Sequence, residues 1–161
     1  MAIVTREQVM TALLALAGGA AGFKTVSRHI ELVPGAPTPQ VAVPIAQPAL
    51  YLVETHEQTL RQGTGEPPIR TWYVELWIWC KNPAGMTLGV PDDATPGASV
   101  INPLIETIEA ALAPDNLARN ECTLGGLVYF ARIEGITAKV SGDTNPEGQC
   151  FAAIPLTIMV P

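Results

Sequence analysis

Histidines, cysteines and paired carboxylates are the side chains best suited to chemistry near neutral pH, and this chain keeps them apart. His29 and His56 are the only two histidines. His56-Glu57 follows an apolar strand-like run and has the makings of a seated base. A hydrolytic triad also needs a nucleophile and an orienting acid, and no G-x-S-x-G stretch is present. Cys80, Cys122 and Cys150 form no C-x-x-C pair, which argues against zinc and thioredoxin-type chemistry. Widely spaced and odd in number, they read as reduced thiols that behave as small hydrophobes. Asp92-Asp93 lacks the spaced ligands of a calcium loop. Gly125-Gly126 lacks both the remaining glycines of a dinucleotide loop and the lysine of a P-loop. Arg28, Arg61, Arg70 and Arg132 are scattered and build no continuous basic motif. No catalytic, cofactor-binding or metal-binding residue is assigned, and the expectation is a protein without enzymatic activity.

The totals point the same way. A chain of 161 residues with 48% hydrophobic residues can bury one core, and the expectation is a single domain over 1–161. The net charge of −6 disfavours a surface that grips nucleic-acid phosphates, although DNA passing by unheld is compatible with it. Charged residues are 15% of the chain, against about 25% in an ordinary protein. Much neutral surface is a sign of protein–protein contact or of poor solubility. Met1–Gln8 has no apolar run long enough for a signal peptide, and Leu13–Ala21 is too short to span a bilayer, so no membrane partner is expected.

The elements that must carry any site centre on Arg70–Cys80, which holds all three tryptophans. β-Branched and aromatic residues suit a pleated strand, and side chains alternate across it. Trp72, Val74, Leu76, Ile78 and Cys80 share a wholly apolar face, expected on the core. Thr71, Tyr73, Glu75, Trp77 and Trp79 share the other. Two indoles and a phenol there need a cover, either a second layer of this chain or another subunit.

Thr5-Arg6-Glu7-Gln8 is a capping-box pattern, and Val9, Leu13 and Leu16, widened by Met10, Leu14 and Ala17, follow at helical spacing. This predicts a helix over Arg6–Ala17, stopped by Gly18-Gly19. Phe23–Ile30 reads as a partly exposed strand near an edge. Pro34, Pro37, Pro39, Pro44 and Pro48 mark an irregular excursion that drapes over the domain or over a neighbour. Ala49–Glu54 reads as a short central strand, antiparallel to the tryptophan strand. Thr55–Pro68, with Gly63 and Gly65, reads as a mobile loop or long hairpin tip. Lys81–Val100 reads as a second long loop. Such loops signal partner contacts or surface decoration.

Asn102-Pro103 predicts the start of a second helix, with Leu104, Ile105, Ile108, Ala111 and Leu112 as its buried stripe. Leu127–Glu134 reads as a strand that Ile136–Val140 continues past a bend at Gly135. Cys150–Val160 is the last strand, and its Pro155 implies an edge or a bulge. Helix, strands, helix, strands without βαβ alternation predicts an α+β fold: an antiparallel sheet of about five strands with two helices packed on one face, plus long loops.

In this order the pieces resemble the tail terminator (tail completion, minor tail protein U-like) family of long-tailed bacteriophages. The stretches that carry the resemblance are Thr5-Arg6-Glu7-Gln8-Val9 with Ala12-Leu13-Leu14, then Phe23, Thr25, Ser27 and Arg28, then Pro48–Glu54. Ile101–Leu112, Thr123–Val128 and Ala153–Ile158 complete it. It spans nearly the whole chain as a diffuse pattern, and the segment Pro34–Pro48 is longer than the family pattern.

The resemblance implies an α+β protomer that assembles as a homo-hexameric ring, without catalysis or cofactor. Such a ring caps the tail tube, stops its growth and provides the head-joining surface at the head-proximal end of the tail. It is a virion structural protein assembled in the host cytoplasm. The implied partners are the chain itself, the tail tube protein and a head-completion or connector protein, with DNA passing through the lumen without specific binding. Trp77 and Trp79 then become candidate contacts between protomers. Arg61, Glu66, Asp92 and Asp93, on the two long loops, become candidate contacts to the tube. A head–tail connector or tail-adaptor protein is the alternative. A cellular protein-binding module or small enzyme, with a pocket at His56, is the competing class.

Overall fold

The computed structural model describes residues 4–20, 22–37, 40–44, 46–61, 63, 68–81, 96–140 and 149–160. The elements run α1 (Arg6–Ala20), β1 (Thr25–Ser27), β2 (Ala49–Leu60), β3 (Ile69–Lys81), α2 (Pro96–Ala111), β4 (Phe130–Ile133), β5 (Ala138–Val140) and β6 (Gln149–Val160). The fold is α+β, as the sequence predicts. Its sheet has six strands in the order β1-β2-β3-β6-β4, with β5 also pairing β6. All pairings are antiparallel except β1 with β2, which is parallel. The tryptophan strand β3 lies at the centre.

Both helices pack on one face. Leu52, Leu76 and Ile154 stand in register across β2, β3 and β6, and Leu50, Ile78 and Ala152 form the next row. Val9, Met10, Leu13 and Ala17 of α1 and Ile101, Ile105 and Ile108 of α2 close over these rows in one buried cluster. The capping box at Thr5 forms as predicted: Gln8 N–H donates to Thr5 Oγ1, and Thr5 N–H donates to Gln8 Oε1 at 2.8 Å.

β1 keeps only Thr25–Ser27 of the strand expected over Phe23–Ile30, and four further boundaries differ from the sequence-based expectation, each for a physical reason. First, α1 runs through Gly18-Gly19 to Ala20, and the left-handed residue is Gly22. Gly18 serves close packing instead, because a Cβ there would stand 2.7 Å from Val26 Cγ1 of β1. Second, α2 begins at Pro96, with Pro103 inside it. Buried Ile101 anchors the turn before the proline, and core packing outweighs the local start signal.

Third, β2 continues to Leu60, so Thr55–Leu60 is strand and not loop. A bulge between Glu54 and His56 lets β2 stay paired with β3 down to Leu60–Ile69. Fourth, Leu127–Tyr129 is turn and bend and not strand, whereas the break expected at Gly135 (φ 125°) is present and divides the outer partner of β6 into β4 and β5. Pro155 of β6 faces that break: its carbonyl accepts from Glu134 N–H at 3.1 Å. A residue's N–H and C=O point to the same side of an antiparallel strand. The donor that proline lacks would therefore have faced the interruption, which is why an inner strand tolerates it.

Candidate functional site

The opposite face of the sheet, which carries no helix among the described residues, is built from the other half of the same alternation. β3 contributes Tyr73, Glu75, Trp77 and Trp79, all half-buried. Register with β6 sets Phe151 opposite Trp79 and Ala153 opposite Trp77. Phe151 meets Trp77 edge-on, with centroids 5.5 Å apart and planes at 82°, and meets Trp79 at 4.9 Å and 59°. These are the tilted geometries that ring quadrupoles favour. Trp77 Nε1 donates to Glu75 Oε2 at 2.7 Å, which fixes the indole while its ring stays partly open. Further along, His56 stacks on Tyr73 with centroids 4.1 Å apart. At the β4 side, the Arg132 guanidinium lies 4.5 Å over the Phe130 ring.

The proline-rich excursion covers one end of this face. Its arms join through Ala42 N–H to Glu31 C=O and Val33 N–H to Gln40 C=O. Gln47, 8% exposed, donates from Nε2 to Gln149 Oε1 at 2.7 Å and to Pro44 C=O at 2.9 Å. Burial, with the charge of Glu31 nearby, pushes the Tyr51 phenol up from its ordinary pKa. Of the two covers expected for the indoles, a layer of this chain therefore supplies a part, at the Ala49–Tyr51 end, and leaves the aromatic cluster half-buried.

The second polar feature lies on the helix side, where β2 passes α1. Arg28 donates to Glu7 Oε1 and Oε2, each at 2.7 Å, and to Glu54 at 2.5 Å. Arg6 pairs with Glu57 and lies 5.1 Å over the Trp72 ring. The Arg28 guanidinium holds the Glu7 carboxyl below the usual range, and Glu7 and Glu54 raise the guanidinium in turn. A cavity of 230 Å³ lined by Arg6, Glu54, His56 and Glu57 opens here. Its carboxylates are occupied by arginines. The Thr55 hydroxyl donates to Tyr73 C=O at 2.8 Å, so its proton is already committed. Thr55 Oγ1 also lies 3.2 Å from His56 Nδ1, and with His56 packed on Tyr73 these groups hold strands and helix together.

Two of the cysteines, the glycine pair and Asp115 have structural partners or places. Cys80 and Cys150 face each other across β3 and β6, buried and reduced, and burial beside Cys150 pushes the Cys80 thiol up to about 12. Gly125 and Gly126 take positive φ in a turn. Asp115 accepts from Thr123 N–H at 2.6 Å and Gly125 N–H at 2.9 Å, which draws its pKa down.

Trp77 and Trp79 are thus brought together, with Phe151 between them. Arg61 is not with them: it follows Leu60 at the far tip of the β2–β3 arm, about 30 Å away at 3.3 Å per strand residue. Glu66, Asp92 and Asp93 lie outside the described residues. Spacing alone places Tyr73 on this face and misses Phe151 and His56, because cross-strand register decides them. A scan of family models finds no match to the chain, and neither does a search of curated proteins.

Proposed function

We propose that this chain is a tail terminator, a structural virion protein of a long-tailed bacteriophage. As a homo-hexameric ring it caps the tail tube, ends tube polymerisation and provides the surface that joins the head. The observation that carries the reading is the half-buried aromatic cluster of Trp77, Trp79, Phe151 and Tyr73 on a sheet face without a helix layer. Aromatic side chains with one wet flank are the residues that anchor subunit contacts. The resemblance of the chain to the terminator family, from its capping box to its last strand, supplies the kind of assembly. The net charge of −6 suits a lumen that repels DNA and lets it slide. A ring structure whose lumen is lined mainly by Lys and Arg rules that last point out.

Electron microscopy of tails assembled with and without the chain tests the function. Tubes of runaway length in its absence, brought back to a set length by the purified protein, are expected. Tails of correct length that fail to join heads would make it a connector. Tails and heads indifferent to it would end the phage reading.

A further inference from the structure

β2 outruns its outer neighbour. β1 pairs only with Ala49–Tyr51, and every residue from Glu54 to Leu60 is exposed. β3 fills one side of this stretch, and among the described residues no strand fills the other. A strand with an open side presents unpaired N–H and C=O groups, a template for another chain. Natural edges are guarded by proline, lysine, charge or cover. Glu54–Leu60 contains neither proline nor lysine. Its two carboxylates do not guard it, because Arg28 and Arg6 hold Glu54 and Glu57 on the helix side. The bulge at Thr55 stands at the start of the stretch and leaves His56–Leu60 regular, a length of about 17 Å that suits strand addition.

Charge says what fits there. Arg61 at the tip and Arg70, opposite Thr59, are exposed and make no ion pair among the described residues. They sit on a chain of net charge −6. Glu106 and Glu109 on the outer side of α2 are exposed and equally unpaired among the described residues. A second copy therefore offers the arm an acidic surface.

We propose that the open edge of β2, Thr55–Leu60, is a strand-addition site for a second copy of this chain, and that Arg61 and Arg70 steer that copy onto it. Backbone hydrogen bonds supply the affinity, and the arginines set orientation and rate. A head-to-tail contact of this kind repeats around a ring. The occupant rests on the ring reading of the function, whereas the site rests on the open edge.

The test is sedimentation of the full chain across concentration and salt, combined with hydrogen exchange of its amides. Sedimentation is expected to show self-association that weakens with salt. Outward amides of Thr55–Leu60 are expected to slow on the order of tenfold or more in the associated form. Arg61→Glu with Arg70→Glu is expected to weaken association about tenfold, an effect of charge steering and pairing, and to leave the melting temperature unchanged. A monomer at every concentration overturns the proposal, as does association that leaves those amides exchanging as in the monomer. Normal tail length without the chain, beside a protected edge, would end the capping reading and leave this one standing. Runaway tails beside an unprotected edge would do the reverse.

Discussion

Trp72 and Trp77 sit on the same strand, and their surroundings differ because, among the described residues, helices pack on one side of the sheet. Trp72 is 4% exposed, under Arg6 and α1. Trp77 is half-buried, braced by Glu75 and Phe151 and open to its other side. The same alternation supplies mostly aliphatic rows, with Trp72 at one end, where helices dock and Tyr73, Trp77 and Trp79 on the opposite face. One face is therefore closed within the protomer. The other is finished only in part, by the proline-rich excursion.

The comparison breaks if both faces respond alike to truncation. Leu76→Ala or Ile154→Ala, in the closed row, is expected to cost about 2–5 kcal/mol, read by denaturant unfolding. Trp77→Ala or Trp79→Ala is expected to cost about 1–2 kcal/mol, because only part of each ring leaves water on folding. Those variants should fold and fail to cap tails. A Trp77→Ala loss as large as that of Leu76→Ala would mean the helix-free face is as closed as the other.

Smaller effects sharpen the role of the helix-side charges. Glu54→Gln is expected to cost at most about 1 kcal/mol, since the pairs it breaks are partly exposed. The Glu7 and Asp115 carboxyls have pKa values depressed in the folded state. The stability they contribute is therefore present above the ordinary carboxylate range, about pH 4, and is lost as pH falls through their lowered values. Asp115→Asn should flatten the acid side of a melting-temperature profile, and an unchanged slope would remove Asp115 from that account.

Much of this was legible in the sequence, because β3 alternates cleanly and α1 begins with a capping box. The pairing of Trp77 with Trp79 follows from spacing alone. The extension of β2 does not: Thr55–Leu60 is polar and becomes strand through a bulge and a partner in β3. Asn102-Pro103 imitates a helix start, and only the burial of Ile101 shows that the helix is already under way. Gly18 imitates a stop and is instead the place where Val26 needs room. Phe151 joins the aromatic cluster through the register of β6 on β3, a long-range fact that local spacing does not contain.

The most direct measurement is oxidative footprinting of the tryptophans and Phe151, read by mass spectrometry on the free protein and on finished tails. Trp72 should stay protected in both. Trp77, Trp79 and Phe151 should react in the free protein and become protected in tails, which is the behaviour of a face completed by assembly. Equal reactivity of Trp77 and Trp79 in the two states would contradict the account.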